Sequence, residues 1–395
     1  MSGAKALATE YRGPASSSVH SSSRIYALHP STASTSNDEC FALGFFHDVC
    51  HRCSPGISIE YATASVPGAE HEGSAWSVST PPSARAVTPD TALFLTPDEF
   101  LFAGHPRYTI DGSLPLRVSD IKPFTLAATG GMYAGIMIGL HVYQMETFWQ
   151  QRSPVFNLIE DGSYAMGVDK FGHFFGTHLM CYYSTEVLQA SGLSVESAHI
   201  WGTLMGMVYQ SYVEIEDGYG SNWGFSPSDM YANAAGATYF LAQYYFPFLQ
   251  NFTPKWIYTP APWIGESARA EGMTFIDDYS SSTFYLSCKV YNLLPESTQQ
   301  WWPRWLNVAV GYAARGLDTP DSDAKVILAL DYDLPELLPD FRNTVGGSLG
   351  DILNWCKQTF NYVKLPSPSL EFGRSGMTRF NLLYPFKIRV AGICF

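Results

Sequence analysis

The stretch "DKFGHFFGTHLM", residues 169–180, sets three polar side chains at the mouth of an apolar run: Asp169, Lys170 and His173. Asp169 and His173 are four residues apart, so on a helix they share a face one turn from each other. The run itself, 171–185, carries no Asp, Glu, Lys or Arg. Three other long stretches are equally free of charge: 123–145, 197–213 and 230–254. The first and last are long enough, as helices, to cross a hydrocarbon core of about 30 Å. The middle two need flanking residues to do so.

Each run repeats small residues four apart: Gly131, Gly135 and Gly139; Gly172 and Gly176; Gly202 and Gly206; Ala232 and Gly236. Glycine in a water-exposed helix costs about 1 kcal/mol relative to alanine. Its repetition at this spacing suits helices that must approach closely, as in membrane bundles; a buried soluble bundle with tight crossings is the alternative. An even number of spans puts both bundle ends on one side, where Lys122 and Lys255 flank the first and last runs. The expected fold class is therefore mainly α. It comprises a four-helix, membrane-associated bundle, a small mixed α/β C-terminal region and a disordered N-terminal tail.

The totals agree with a large core and a surface partly out of water. Of 395 residues, 15% are charged and 15% aromatic, against about 25% charged in ordinary soluble domains. The net charge is −13. With no basic stripe, nucleic acid is excluded as an expected partner. The seven cysteines are irregularly spaced, which is not a disulfide framework. Cys50-His51-Arg52-Cys53, with His47 and Cys40 nearby, resembles half a zinc site, but the second Cys/His pair at finger spacing is missing. No metal and no cofactor is expected.

Along the chain, residues 1–90 are Ser-, Thr-, Pro- and Ala-rich without periodicity, and read as a disordered or mis-assigned tail. "MSGAKALATEYRG" has neither an apolar signal core nor a lipobox-like Leu-x-x-Cys after one. Residues 91–122 read as an extended lead-in, 123–254 as the bundle and 255–395 as the mixed region. There, "KVILALDYDL" (325–334) places Val326, Leu328, Leu330, Tyr332 and Leu334 on one face of a strand. "WWPRWLNVAVGYAARG" (301–316) is aromatic, then punctuated by glycine.

Charges gather at the run boundaries. Asp169, Lys170 and His173 open the second run; Glu214, Glu216 and Asp217 close the third, just before Gly218; Asp229 and Asn233 open the fourth. Asp-Lys-x-x-His, then Glu-x-x-Asp-Gly, then Trp-Gly-Phe-Ser-x-x-Asp-x-x-x-Asn-x-x-Gly resembles the YfiM-like family of predicted periplasmic lipoproteins, whose domain has no established function. The order is more distantly similar to VanZ-like membrane proteins. The likeness covers about residues 124–250 and continues through "DDYSSSTFYLS", "WLNVAVGYAARG" and "LPSPSLEF" as in longer members. It implies a cell-envelope, membrane-associated location on the periplasmic side, from which the missing signal and lipobox depart.

Individually, these residues have ordinary roles open to them. Asp169 fits a helix N-cap. Ser226 fits an N-cap followed by Pro227, with Asp229 in the first turn. Three carboxylates in the last turn of a helix have the wrong sign for its dipole, so a positive group should compensate, Lys170 or a bound cation. The expected cluster is Asp169, Lys170, His173, Glu214, Asp217, Asp229 and Asn233, at one end of the bundle. Two functions follow. One is a structural or partner-binding envelope protein meeting membrane lipid or envelope proteins. The other is a metal-dependent or His/carboxylate hydrolase acting on lipid or cell-wall material, with His173, Asp169 and Glu214 as catalytic candidates. Neither His-Glu-x-x-His nor Gly-x-Ser-x-Gly is present to favour the second.

Overall fold

The computed structural model describes residues 93–395 apart from 148, 267, 268, 270–276, 375, 391, 392 and 395. The expected tail at 1–90 and the Cys50–Cys53 motif lie outside the described residues. Each uncharged run starts a helix: α1 (Pro123–Glu146), α2 (Val168–Ala190), α3 (Val195–Asp217) and α4 (Pro227–Tyr245). Proline at the first turn of α1 and α4 supplies a helical φ where no N–H is needed. Ser194 and Ser226 cap α3 and α4, each accepting from the N–H three residues on.

The small-residue spacing has two different outcomes. In α2–α4 it sets close helix contacts. A Cβ on Gly236 would stand 2.2 Å from the carbonyl oxygen of Phe174, and one on Gly206 would stand 2.9 Å from the backbone nitrogen of Cys181. A Cβ on Gly131, Gly135 or Gly139 of α1 would meet nothing within 4 Å among the described residues. Thus α2, α3 and α4 form one packed layer, while α1 stands farther off and reaches it by side chains, Thr129 to Ser191, Tyr133 to Met205 O and His141 to Tyr212. Among the described residues, α1 is the helix long and apolar enough to cross a membrane, with mean hydropathy 1.3. The fourth run is not one span. It ends as a helix at Tyr245, and Pro247 opens a short turn that leads into a strand at Phe252.

The mainly-α expectation is overturned. The C-terminal region is a six-stranded antiparallel sheet, so the molecule is mixed α/β. Its strands run in chain order across the sheet: β1 (Phe252–Tyr258), β2 (Ser282–Cys288), β3 (Leu306–Arg315), β4 (Asp323–Tyr332), β5 (Ser367–Gly373) and β6 (Thr378–Tyr384). A fifth long helix, α5 (Gly347–Phe360), precedes β5 and meets α2, the Trp355 indole donating to Glu186 at 3.1 Å.

The sheet is strongly curled. Lys255 on β1 and Asp331 on β4 form an ion pair at 2.7 Å, although three strand spacings on a flat sheet are about 14 Å. Lys255 is therefore not a flanking charge of a span but one of the most deeply buried side chains. Small residues Ala309, Gly311, Ala313 and Ala329 line the concave side, where Ile257, Tyr285, Ile327 and Tyr384 fill the curl. The outer side of β2 and β3 meets α2 through Phe175–Phe284 and Phe171–Tyr312 ring contacts. In β4 the apolar alternation at Val326 and Leu328 faces outward, and the buried positions are Ile327, Ala329 and Asp331. The strand pattern is visible in the sequence, but its exposed side is the apolar one.

Candidate functional site

The site forms where the first turns of α2 and α4 meet the last turn of α3. Three consecutive residues ahead of α2, Ala165, Met166 and Gly167, have φ of 47°, 57° and 81°. Two are not glycine, and such left-handed residues are uncommon. Their turn is held by Tyr312 of β3, whose hydroxyl donates to Met166 O at 2.7 Å. It delivers Asp169 and Lys170 in the first turn of α2, where Asp169 also suits the helix dipole. Gly167, not Asp169, is the N-cap residue.

Lys170 is the centre. Its ammonium lies 2.5 Å from a carboxylate oxygen of each of Asp161, Asp169 and Asp229. These come from the loop before α2, from α2 and from α4. Asp169 also accepts from the Tyr279 hydroxyl at 2.5 Å, which ties the cluster to the segment leading into β2. Asp161 accepts from the Ser226 hydroxyl at 2.6 Å.

His173, one turn along α2, reads the other side of the cluster. Its Nε2 is 3.4 Å from Asp169 and 3.7 Å from Asp229, and its Nδ1 is 3.3 Å from both Glu214 Oε1 and Asn233 Oδ1. The Thr177 hydroxyl donates to the same Asn233 oxygen at 2.8 Å. Glu214 Oε2 accepts the Ser226 N–H at 3.4 Å.

The three carboxylates closing α3 are thus compensated separately, and not by Lys170. Glu214 faces His173; Glu216 pairs with Arg152 at 2.7 Å; Asp217 accepts from the Trp149 indole at 2.5 Å. Gly218 follows in a right-handed conformation. A Cβ there would meet the Phe156 ring at 2.2 Å, so a close contact rather than a left-handed cap requires the glycine. Of the seven residues expected together, six share one network; Asp217 lies beside it, bonded to Trp149. Asp161, Tyr279, Trp149 and Arg152 were not foreseen. They sit in irregular segments, where no periodicity marks which side chain turns inward.

Burial opposes charge on His173, but the hydrogen bond and charge of Asp169, with Asp229 and Glu214, raise its pKa to about 10. Asp169 is buried too, yet His173 and Lys170 hold it well below the usual carboxylate range. Burial, with the neighbouring Asp229 and Asp217, lifts Glu214 to about 8 against the pull of His173. Burial also lifts Asp229 to about 6. At neutral pH the arrangement holds two cations, Lys170 and His173, among ionised aspartates, with Glu214 largely protonated. An imidazole at about 10 is a fixed cation there, not a general base poised for proton abstraction. Asp169, His173 and Asp229 can each offer one ligand atom with all three within 4.8 Å of one another, a donor set that suits a divalent ion.

Residues 158–245 match the model of a family described as predicted periplasmic lipoprotein (DUF2279). The match contains Asp161, the whole of α2–α4 and every expected cluster residue, and it stops before the sheet. It carries the family-level resemblance and not the YfiM-like or VanZ-like specifics. No curated protein and no solved structure matches the chain. The match supports a periplasmic, cell-envelope location, and the molecular function of the matching family is itself undefined in that description.

Proposed function

We propose that this chain is a membrane-associated envelope protein of structural or partner-binding role, in which the Lys170 cluster locks the helical layer to the sheet. The observation behind it is one ammonium contacting carboxylates of three separate segments, one of them also bonded to Tyr279. Such a tether adds charge to the hydrogen bonds that already join these elements, from Tyr312 to Met166 O and from Tyr239 and Gln243 to Phe252 O. Membrane lipid is met through α1, whose glycine face has no neighbour among the described residues. Limited proteolysis tests the lock. Lys170→Met should open the 147–166 loop to cleavage while Lys170→Arg largely protects it. Identical digests of the variants and the parent chain contradict the lock. Extraction by carbonate wash would contradict α1 as a span.

A second reading is favoured by the convergence of Asp169, His173 and Asp229. A divalent cation would take over charge compensation from the two protonated side chains, and hydrolysis of a lipid or cell-wall substrate could follow. Manganese, zinc or magnesium should then raise the melting temperature of the parent chain and not that of Asp229→Asn. An unchanged melting curve contradicts this reading.

A further inference from the structure

We propose that the part of the sheet's outer face that α2 leaves open is a lipid-contacting surface, with the acyl chains of a membrane as its occupant; α2 covers only the neighbouring Phe284 and Tyr312 positions. The inference comes from how charge divides between the two faces. Strand register places Leu286, Val310, Leu328 and Leu370 in one row across β2–β5. All four point outward, and each is between 39% and 54% exposed. Val326 and Phe372 continue the face in the next row. No Asp, Glu, Lys or Arg occupies a position sharing this face on any of the six strands. The charged strand residues Lys255, Arg315, Asp323, Lys325, Asp331, Glu371 and Arg379 all fall on the alternate, inward register.

A soluble sheet places its apolar side inward and its polar side in water. In this one the outer side is the charge-free one. Its interior mixes Ile257, Tyr285 and Ile327 with the Lys255–Asp331 pair, and Arg315 donates to Thr283 and Tyr384 across the curl. The interior opens at one end into a charged cavity of about 590 Å³ lined by Arg315, Lys325, Glu371 and Arg379. An outward face that is apolar on every strand, with the charges turned inward, is the pattern of strands facing hydrocarbon.

Protein interfaces ordinarily carry a hydrogen bond every 100–200 Å² or so and are enriched in arginine. The row from Leu286 to Leu370, with Val326 and Phe372, offers neither a side-chain donor nor an arginine, and its backbone groups are spent within the ladder. Aromatic side chains stand at the end of the face where β3 begins and β4 ends. There the Trp305 and Tyr332 rings lie 6.2 Å apart and Trp301 is 81% exposed. Trp and Tyr prefer the membrane–water boundary. From Val326 to Tyr332 the apolar face runs six residue steps, about 20 Å, close to the roughly 25 Å apolar band of membrane strands. The surface is separate from α1, so it holds whether or not α1 spans.

A nitroxide spin label at Leu328→Cys, and separately at Val310→Cys, tests this in the full chain with its other cysteines replaced by serine. The protein is reconstituted into phosphatidylethanolamine–phosphatidylglycerol vesicles. Both sites are already exposed, so the label should not disturb folding, and circular dichroism of each labelled chain checks that. The expected result is collision with dissolved oxygen severalfold greater than with a water-soluble nickel chelate at both positions, reversed for a label at Asp321→Cys in the charged cavity. Preferential collision with the nickel chelate at 310 and 328 would overturn the proposal. So would a label shielded from both reagents, which would mean that a second copy or the first 92 residues cover the face. A chain that stays off the vesicles overturns both this surface and membrane association by α1. A bound chain with a water-exposed label overturns this surface alone.

Discussion

Replacing Lys170 with methionine removes the ammonium and keeps most of the stem. The change strands Asp161, Asp169 and Asp229 around an apolar group. Breaking a buried ion pair by removing one partner costs about 3–5 kcal/mol, far more than an exposed pair is worth. Here the lower end applies. The Lys170 side chain is 17% exposed and that of Asp161 is 32% exposed, so water screens part of the repulsion. His173 also remains within 3.7 Å of two of the three carboxylates. A loss of about 3 kcal/mol corresponds to a melting temperature lowered by about 4–5 °C for a protein of this size. The second half of the cycle is sharper. Lys170 touches Asp229 and not Glu214. Asp229→Asn should therefore recover part of the loss in the Lys170→Met background, with a coupling of about 1–3 kcal/mol, and Glu214→Gln should recover clearly less. Thermal unfolding in detergent of the four chains in each cycle measures both. A coupling to Asp229 near zero, or a larger one to Glu214, would refute the assignment of partners.

Four other outcomes are expected. Gly236→Ala drives a methyl into the backbone of Phe174 and should cost about 1–3 kcal/mol. Gly135→Ala in α1 meets nothing and should leave stability unchanged or raise it by up to about 1 kcal/mol; equal losses would mean that α1 packs as the other helices do. Tyr279→Phe removes a hydroxyl donor from the Asp169 carboxylate and should destabilise by about 1.5–3 kcal/mol, read by denaturant unfolding; no change would remove Tyr279 from the lock. The Glu214 carboxyl rises from 4.5 to about 8 on folding. It therefore favours the folded state fully below about pH 4.5 and loses that contribution as pH rises through about 8. Glu214→Gln should flatten the decline of melting temperature across that window, and an unchanged slope would place the titration elsewhere.

The helices were legible because their signal is local. Four uncharged runs mark α1–α4, and Ser226-Pro227 marks a start that needs no tertiary information. The glycine spacing was legible as close approach but not as where. The same spacing faces Phe174 at Gly236 and open space at Gly135. The sheet was not legible as the larger partner. Its strands hide their charges inward at Lys255, Asp331 and Arg315, among Ile257, Tyr285 and Ile327, so the apolar alternation of β4 marks the outer face rather than the core. In the site, helical spacing brought Asp169 and His173 together and run boundaries suggested the rest. Which carboxylate answers which cation depends on side-chain reach between elements. Glu214 therefore meets His173 and leaves Lys170 to three aspartates, one of them, Asp161, in a segment without pattern.

The central claim is that two cations, not a poised base, hold this cluster together. The most direct test is the nitrogen chemical shifts of His173 in the ¹⁵N-histidine-labelled full chain, followed between pH 6 and 11 and assigned with His173→Gln. The account predicts that both ring nitrogens remain protonated through pH 8 and lose a proton near 10. In Asp169→Asn the transition should move down. A His173 imidazole that is neutral at pH 7.5, or titrates near its ordinary value, would contradict the ionic lock and return the site to acid–base or metal chemistry.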